Sequence, residues 1–414
     1  MYTNPMMIRA FHAVGQGCFA TEHFFYDEAG KDFKVIYDCG GQKKIIGREI
    51  KNAFNKDESI DVLCISHFHE DHVNGLPVLL NHCKSIKNLW IPFITDEEKI
   101  LFSLQYVSEI TDDVNIEEIR VIVNLINNPE ALFREYDTSI TEVLPIDREN
   151  SQEDNQNHNS RKIKSGANLT PNMPNNVSWY YIPFNHVDKD YNDDIFSKII
   201  SSQLFKDFII DNKRLDKDKF LDKLSDYGFR KQIRDFFASL ENDKDANNKN
   251  SLILYSGGEN RYFKSVLNCP YFIYNSIFQD IFPCFYCRKH NQCCDIDFCL
   301  YERFYQKLSI ESGCLYFGDY NCKENYEKDK TFFEKYLRDS GIILLPHHGS
   351  DKSFHDDLLS EKYQYRYAVV CHGKDNRYGH PSSSVCEKLF SKNKNIINVT
   401  EESSTTAYFT IYRI

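Results

Sequence analysis

The sequence predicts an α/β layered fold, and three observations carry that prediction. Apolar and polar residues alternate through "MIRAFHAV", "CFATEHFFY" and "FKVIYDCGG", the period-two pattern of paired strands. Strand and helix patterns then trade places: a helix near 45–55, the strand "DVLCIS", the helix "NGLPVLLNHC" and the strand "NLWIPF". The alternation returns in the last hundred residues or so. There "GCLYFGD", a helix over 324–339, "GIILLPHHGS", "YRYAVVCHG", the helix "SSSVCEKLF" and the strands "NIINVT" and "TAYFTIYRI" follow one another.

The middle of the chain is organised differently. Residues 96–137 read as helical, and 148–176 hold almost no apolar side chains, so they predict a polar loop. A strand, "VSWYYIPFNHV", and a helical stretch over 192–240 define an insert spanning 177–246. After the strand "SLILYS", residues 257–312 form a second insert rich in Cys and aromatic residues. No repeat of 20–50 residues stands out. The expectation is one domain over 1–414 carrying these inserts.

Composition narrows the class. Of 414 residues, 41% are hydrophobic, enough for one large core or two smaller ones. The start "MYTNPMMIRAFHAVGQG" lacks a basic segment followed by an apolar one, and no apolar run approaches the roughly 20 residues of a membrane helix. With 14 Cys and no secretory signal, a cytoplasmic protein is expected, with no membrane association and with thiols or metal ligands instead of disulfides. The net charge of −11 disfavours broad non-specific nucleic-acid binding. It leaves room for a nuclease whose positive charge comes from metal ions.

The densest motif is "CISHFHEDHVNG". After an extended strand, His67 and His69 at i and i+2 project to one side and can share a metal. Asp71 and His72 fall at the start of the next helix, aimed at a second position. Imidazole and carboxylate suit zinc, and also manganese or iron. "CLYFGDY" ends a strand with Asp319, placed to bridge two metals, and "IILLPHHGS" ends another with His347 and His348, one of which can complete the second position. Each stretch alone is unspecific. Three strand ends converging on one sheet edge are not.

These residues resemble the HxHxDH motif of the metallo-β-lactamase superfamily. Within it, "VGQG", "YDCGG", "NSLILY", "FGD", "LPHHGSDKS" and "HGKDNRYGHPSSSV" are similar to the hydrolase domain of ComEC, the competence DNA-uptake protein, and to its stand-alone soluble relatives. The resemblance covers about 1–95 and 247–414. It implies an αββα four-layer sandwich with two divalent cations at the sheet edge, Zn²⁺ by preference and Mn²⁺ as the alternative for both. It also implies a bridging hydroxide as nucleophile between cations about 3.5–4 Å apart. Carried over, His67 and His69 bind the first metal. Asp71, His72 and one of His347 or His348 bind the second, and Asp319 bridges.

One position departs from the superfamily. Many members place another histidine just before the strand matched by "SLILY", where this chain has "NNKN". His186 is a candidate extra ligand for that gap. His380, in "YGHPS", is a candidate for substrate contact or for acid assistance to the leaving group, alongside Asp71 in the catalytic set. In the second insert, Cys284, Cys287, His290, Cys293, Cys294 and Cys299 have the spacing of a structural zinc site, against the alternative of half-buried thiols.

The function expected is a metal-dependent hydrolase, in first place a phosphodiesterase or nuclease acting on DNA or another phosphodiester. The alternatives are a hydrolase of a small ester, lactone or thioester, or a non-enzymatic module. In that last reading, the 257–312 insert docks a protein partner, as in a multi-protein defence system.

Overall fold

The computed structural model describes residues 5–25, 32–111, 115–146, 160–169, 178–211, 214–240, 250–259, 263–268 and 309–413. The first half contains strands β1 (Pro5–Phe11), β2 (Ala20–Phe24) and β3 (Phe33–Tyr37), helix α1 (Lys43–Ala53), strand β4 (Ser59–Cys64), helices α2 (Glu70–Val73) and α3 (Leu76–His82) and strand β5 (Ser85–Pro92). Helices α4 (Asp96–Glu109), α5 (Ile116–Asn127) and α6 (Pro129–Leu132) follow, then strands β6 (Ser139–Leu144), β7 (Ser160–Lys164) and β8 (Trp179–His186). Next come helix α7 (Lys189–Ser201), the short strands β9 (Ile209–Ile210) and β10 (Arg214–Leu215), and helices α8 (Lys217–Lys223) and α9 (Tyr227–Ser239).

The second half runs β11 (Ser251–Gly258), β12 (Phe263–Asn268), β13 (Ile310–Glu311), β14 (Gly313–Tyr316), α10 (Cys322–Arg338), β15 (Ser340–Leu344), β16 (Tyr367–Cys371), α11 (Ser383–Ser391), β17 (Asn395–Val399) and β18 (Ala407–Arg413).

All of these strands but β9 and β10 build two facing sheets. One has ten strands in the order β13-β12-β18-β1-β2-β3-β4-β5-β6-β7, the other six in the order β17-β16-β15-β14-β11-β8. Between them lies an apolar layer in which Phe11, Tyr37, Val62 and Trp90 of the larger sheet meet Tyr181, Leu254, Tyr316 and Leu344 of the smaller. Ile36 and Leu63 face the opposite way, into α1, α3, α4 and α5, while Ile253, Leu315 and Val370 face α10 and α11. The result is a four-layer αββα sandwich, as the sequence predicts. β4 is buried on both faces, which is why "DVLCI" reads as an unbroken apolar run after Asp61.

Local chemistry sets the helix limits. Thr95 Oγ1 accepts from Glu98 N–H at 3.2 Å while Glu98 Oε2 accepts from Thr95 N–H at 2.7 Å, a reciprocal cap on α4. Such a cap contributes about 1 kcal/mol. A buried polar knot sits inside the sandwich. Arg9 Nε donates to Glu22 Oε1 at 2.7 Å, and Glu22 also accepts from Tyr181, Ser256 and Tyr316.

Four features differ from the sequence expectation. Residues 139–144, unassigned by pattern, are the parallel strand β6. Within the expected polar loop 148–176, residues 160–164 pair in parallel with β6 as the exposed edge strand β7, where charged side chains are tolerated because one flank faces water. The helical insert contains the small β9–β10 hairpin. The margins of the expected 257–312 insert belong to the sheets: β11 runs on through Gly258, and β12 pairs along β18. The six candidate zinc residues Cys284, Cys287, His290, Cys293, Cys294 and Cys299 lie outside the described residues.

Candidate metal centre

The sheets bring five loops to one edge, each leaving the C-terminal end of a parallel strand: β3 delivers Asp38, β4 the histidine loop, β14 Asp319, β15 the two adjacent histidines and β16 the loop to His380. Crevices outside such strand ends are where open α/β sheets bind ligands.

Asp319 is the centre of the arrangement. Its Oδ2 lies 3.8 Å from both His67 Nε2 and His347 Nε2. Its Oδ1 lies 3.1 Å from His72 Nε2 and 3.5 Å from His348 Nε2. Donor atoms of His67, His69 and Asp319 fall within 4.8 Å of one another, and so do those of Asp71, His72 and His348. The carboxylate of Asp319 therefore reaches from one donor group to the other. His348, not His347, joins the second group. His347 turns its Nδ1 to Ser353 Oγ at 3.0 Å.

The histidines are held by their far nitrogens. Asp38 Oδ2 accepts from His72 Nδ1–H at 2.8 Å, and Cys371 O accepts from His348 Nδ1–H at 2.8 Å. Ser66 Oγ stands 2.9 Å from His67 Nδ1 and donates to Asp38 Oδ2 at 2.7 Å, so His67 Nδ1 carries the proton. In all three rings Nε2 is left facing inward. Those Nε2 atoms, and Asp319 Oδ1, are buried and make no hydrogen bond. Burying such groups unsatisfied is costly. A divalent cation at each group would satisfy them, and a ligating histidine typically donates its other N–H to a carboxylate or carbonyl as these do. The donor set fits a pair of divalent cations.

Electrostatics point the same way. Burial alone would raise Asp319 and Asp71, but His72 and His348 overcome it and hold both below the usual carboxylate range. Burial would lower His72, yet Asp319, Asp38 and Asp71 raise it well above an ordinary imidazole. Two buried carboxylates, Asp38 and Asp319, with the partly exposed Asp71, thus gather negative charge that favours a cation. Burial, joined by His72 and His69, lowers His67.

Close backbone approaches make this geometry possible. Gly318 has φ +54°, and a Cβ there would sit 3.0 Å from Ser66 Cβ. Gly17 has φ +128°, and its Cβ would lie 2.4 Å from Asp71 O, the carbonyl that Cys18 N–H reaches at 3.2 Å. The "GQG" turn therefore braces α2 from below. His347 and His348 adopt left-handed conformations, φ 44° and 52°, which cost L-residues energy and aim the two rings differently.

Other expected residues fall elsewhere. His186 gives its Nδ1 to Asp329 at 3.0 Å and belongs to neither donor group. Asn250, at the position of the missing histidine, accepts from Asp188 N–H at 2.9 Å and lines a cavity of about 20 Å³ with His67, His69 and Phe102. That space suits one water. The His380 ring stands 5.2 Å from that of His347, at the rim. Sequence reasoning missed Glu109, whose Oε1 is 3.7 Å from His69 Nε2 and whose Oε2 accepts from Glu70 N–H at 3.1 Å. It ends a helix in no recognisable motif. No described helix is long and apolar enough to cross a membrane.

Comparison with known proteins gives partial matches. Residues 24–86 match the metallo-beta-lactamase superfamily model. Ribonuclease Z of Clostridium beijerinckii is 30% identical over 107 residues, covering 26% of this chain and 32% of that protein. Ribonuclease Z of Clostridium perfringens is 43% identical over 51 residues, covering 12% and 15%, and that of Agathobacter rectalis 46% over 46 residues, covering 11% and 14%. The chain thus spans about a third of the first relative's length and about a seventh of the others'. Among solved structures, unliganded yeast PDE1 aligns over 99% of this chain and 100% of that one, with a TM-score of 0.40 and 8% identity. The fold is the αββα fold of the metallo-β-lactamase superfamily.

Proposed function

We propose that this chain is a metal-dependent hydrolase of phosphodiesters, with nucleic acid or nucleotides as its substrate class. The observation that carries the reading is the pair of donor groups joined through Asp319. The matches to ribonuclease Z support the substrate class. Two divalent cations, when bound, lower the pKa of a water between them and neutralise charge developing on a phosphoryl oxygen.

The residues have separable tasks. His67 and His69 would hold one cation and Asp71, His72 and His348 the other, with Asp319 within reach of both groups. Asp38 and Ser66 fix the proton on Nδ1 of His72 and His67, leaving Nε2 to ligate. His380, at the rim beside His347, delivers a proton from its imidazole to the leaving oxygen. The acidic balance of the chain favours a single strand or small nucleotide over long duplex DNA. The finer affinity is to the ComEC-type hydrolases, with zinc the first candidate metal and the cytoplasm the compartment.

The test is degradation of single- and double-stranded DNA by purified protein with Mn²⁺ or Zn²⁺, beside an Asp71→Ala, Asp319→Ala double variant. Cleavage by the wild type alone is the expected result. No cleavage of these, or of smaller phosphodiesters, with either metal overturns the reading.

A further inference from the structure

The rim of the centre carries a side chain that the proposed chemistry does not use. Tyr378 is 72% exposed, the highest value among the exposed large apolar side chains of the described residues. Single exposed apolar side chains are ordinary, so what matters is where the loop holds this one. The loop is fixed. Asn376 Nδ2 donates to Gly373 O at 2.7 Å and to His380 O at 2.6 Å, and its Oδ1 accepts from His380 N–H at 2.9 Å. Ser382 N–H then reaches Gly349 O at 3.0 Å, tying the loop to the histidine turn.

Tyr378 also stands at the opening. Its ring runs nearly parallel to that of His380, 13° apart with centroids 5.9 Å away, and His380 abuts His347. Burial and then the charges of Asp71, Glu109 and Glu70 raise its hydroxyl above the ordinary phenol value. The more exposed side chains of the centre are His69 at 14%, Asp71 at 24% and Glu109 at 25%. Arg377, also exposed, is the next residue on the loop.

We propose that Tyr378 is a stacking platform for a nucleobase. A base attached to a phosphate at the proposed cation positions would lie on this ring, with Arg377 facing the neighbouring phosphate. The substrate class is therefore a nucleotidyl phosphodiester with an unpaired base, and paired DNA is disfavoured because its bases cannot swing out to the ring. This rests on the phosphodiesterase reading above. Stacking of one base on an aromatic side chain contributes about 1–3 kcal/mol, so its loss costs roughly 5- to 150-fold.

The experiment compares thymidine 5′-(4-nitrophenyl phosphate) with methyl 4-nitrophenyl phosphate, which share a leaving group and differ in the base. Wild type, Tyr378→Ala and Tyr378→Phe are assayed with Mn²⁺. The expected result is roughly a tenfold loss of kcat/KM in Tyr378→Ala, through KM, for the thymidine ester alone, with Tyr378→Phe near wild type. An equal loss on both esters, or no loss on either, overturns the platform. If the wild type hydrolyses neither ester with Mn²⁺, these two esters are not its substrates and the phosphodiesterase reading is decided by the DNA assay above. The platform is then decided by binding of a single-stranded 2-aminopurine trinucleotide, whose fluorescence is quenched on stacking. Quenching by wild type and not by Tyr378→Ala upholds it; none by wild type overturns it.

Discussion

Asp38 Oδ2 lies 2.8 Å from His72 Nδ1, both side chains fully buried, and the pair fixes which nitrogen of His72 can face the metal position. An Asp38→Asn substitution keeps the left-handed backbone, which Asn tolerates. Its amide N–H would press the proton of His72 onto Nε2. The expected outcome is a 10- to 100-fold (order-of-magnitude) loss of affinity for the second cation, read by titrating Zn²⁺ against a chromophoric chelator. Unchanged affinity would mean the pair is structural only.

Asp319 shares its two oxygens between the donor groups, so its loss should affect both positions. The wild type is expected to retain about two divalent ions per chain after desalting, by elemental analysis, and Asp319→Asn fewer than one. A variant that still holds two ions shows that the oxygens do not bridge.

The Arg9–Glu22 pair is wholly buried, its guanidinium also donating to Ser312 O at 2.9 Å. Arg9→Met alone is expected to cost about 3–5 kcal/mol in urea denaturation, because Glu22 is then left charged among Tyr181, Ser256 and Tyr316. The double change Arg9→Met, Glu22→Leu should recover much of that. A single variant no less stable than wild type would sink this account.

His12 is buried against Phe19, with ring centroids 4.5 Å apart, and burial lowers its pKa to about 4. A depressed base leaves stability intact above its unfolded pKa near 6.5 and removes it as pH falls toward the folded value, because only the unfolded chain takes up the proton. Between pH 7.5 and pH 5 the wild type should lose about 2 kcal/mol more than His12→Gln. Parallel stability curves for the two proteins would show that His12 does not titrate this way.

Much of the centre could be read from the sequence because its donors cluster at strand ends. His67, His69, Asp71 and His72 occupy six positions, and Asp319 and His348 each follow an apolar run that can only be a buried strand. Glu109 could not be read this way, since a carboxylate at the end of a helix has no spacing rule and reaches His69 only through tertiary packing. The choice between His347 and His348 depends on two left-handed residues, which no pattern of side chains encodes. Strand β7 was hidden because its "SRKIK" is the charged edge of a sheet. The pairing of β12 with β18 was hidden because the two are far apart in the chain.

The first strand of the large sheet, β1, is hydrogen-bonded along its length to the last, β18. Synthesis runs from the amino to the carboxyl end, so β1 and its other partner β2 are made long before β18 can close the sheet beside them. The donors are divided in the same way, His67 made early and His348 late. A chain that has not yet reached His348 therefore lacks one member of the second donor group.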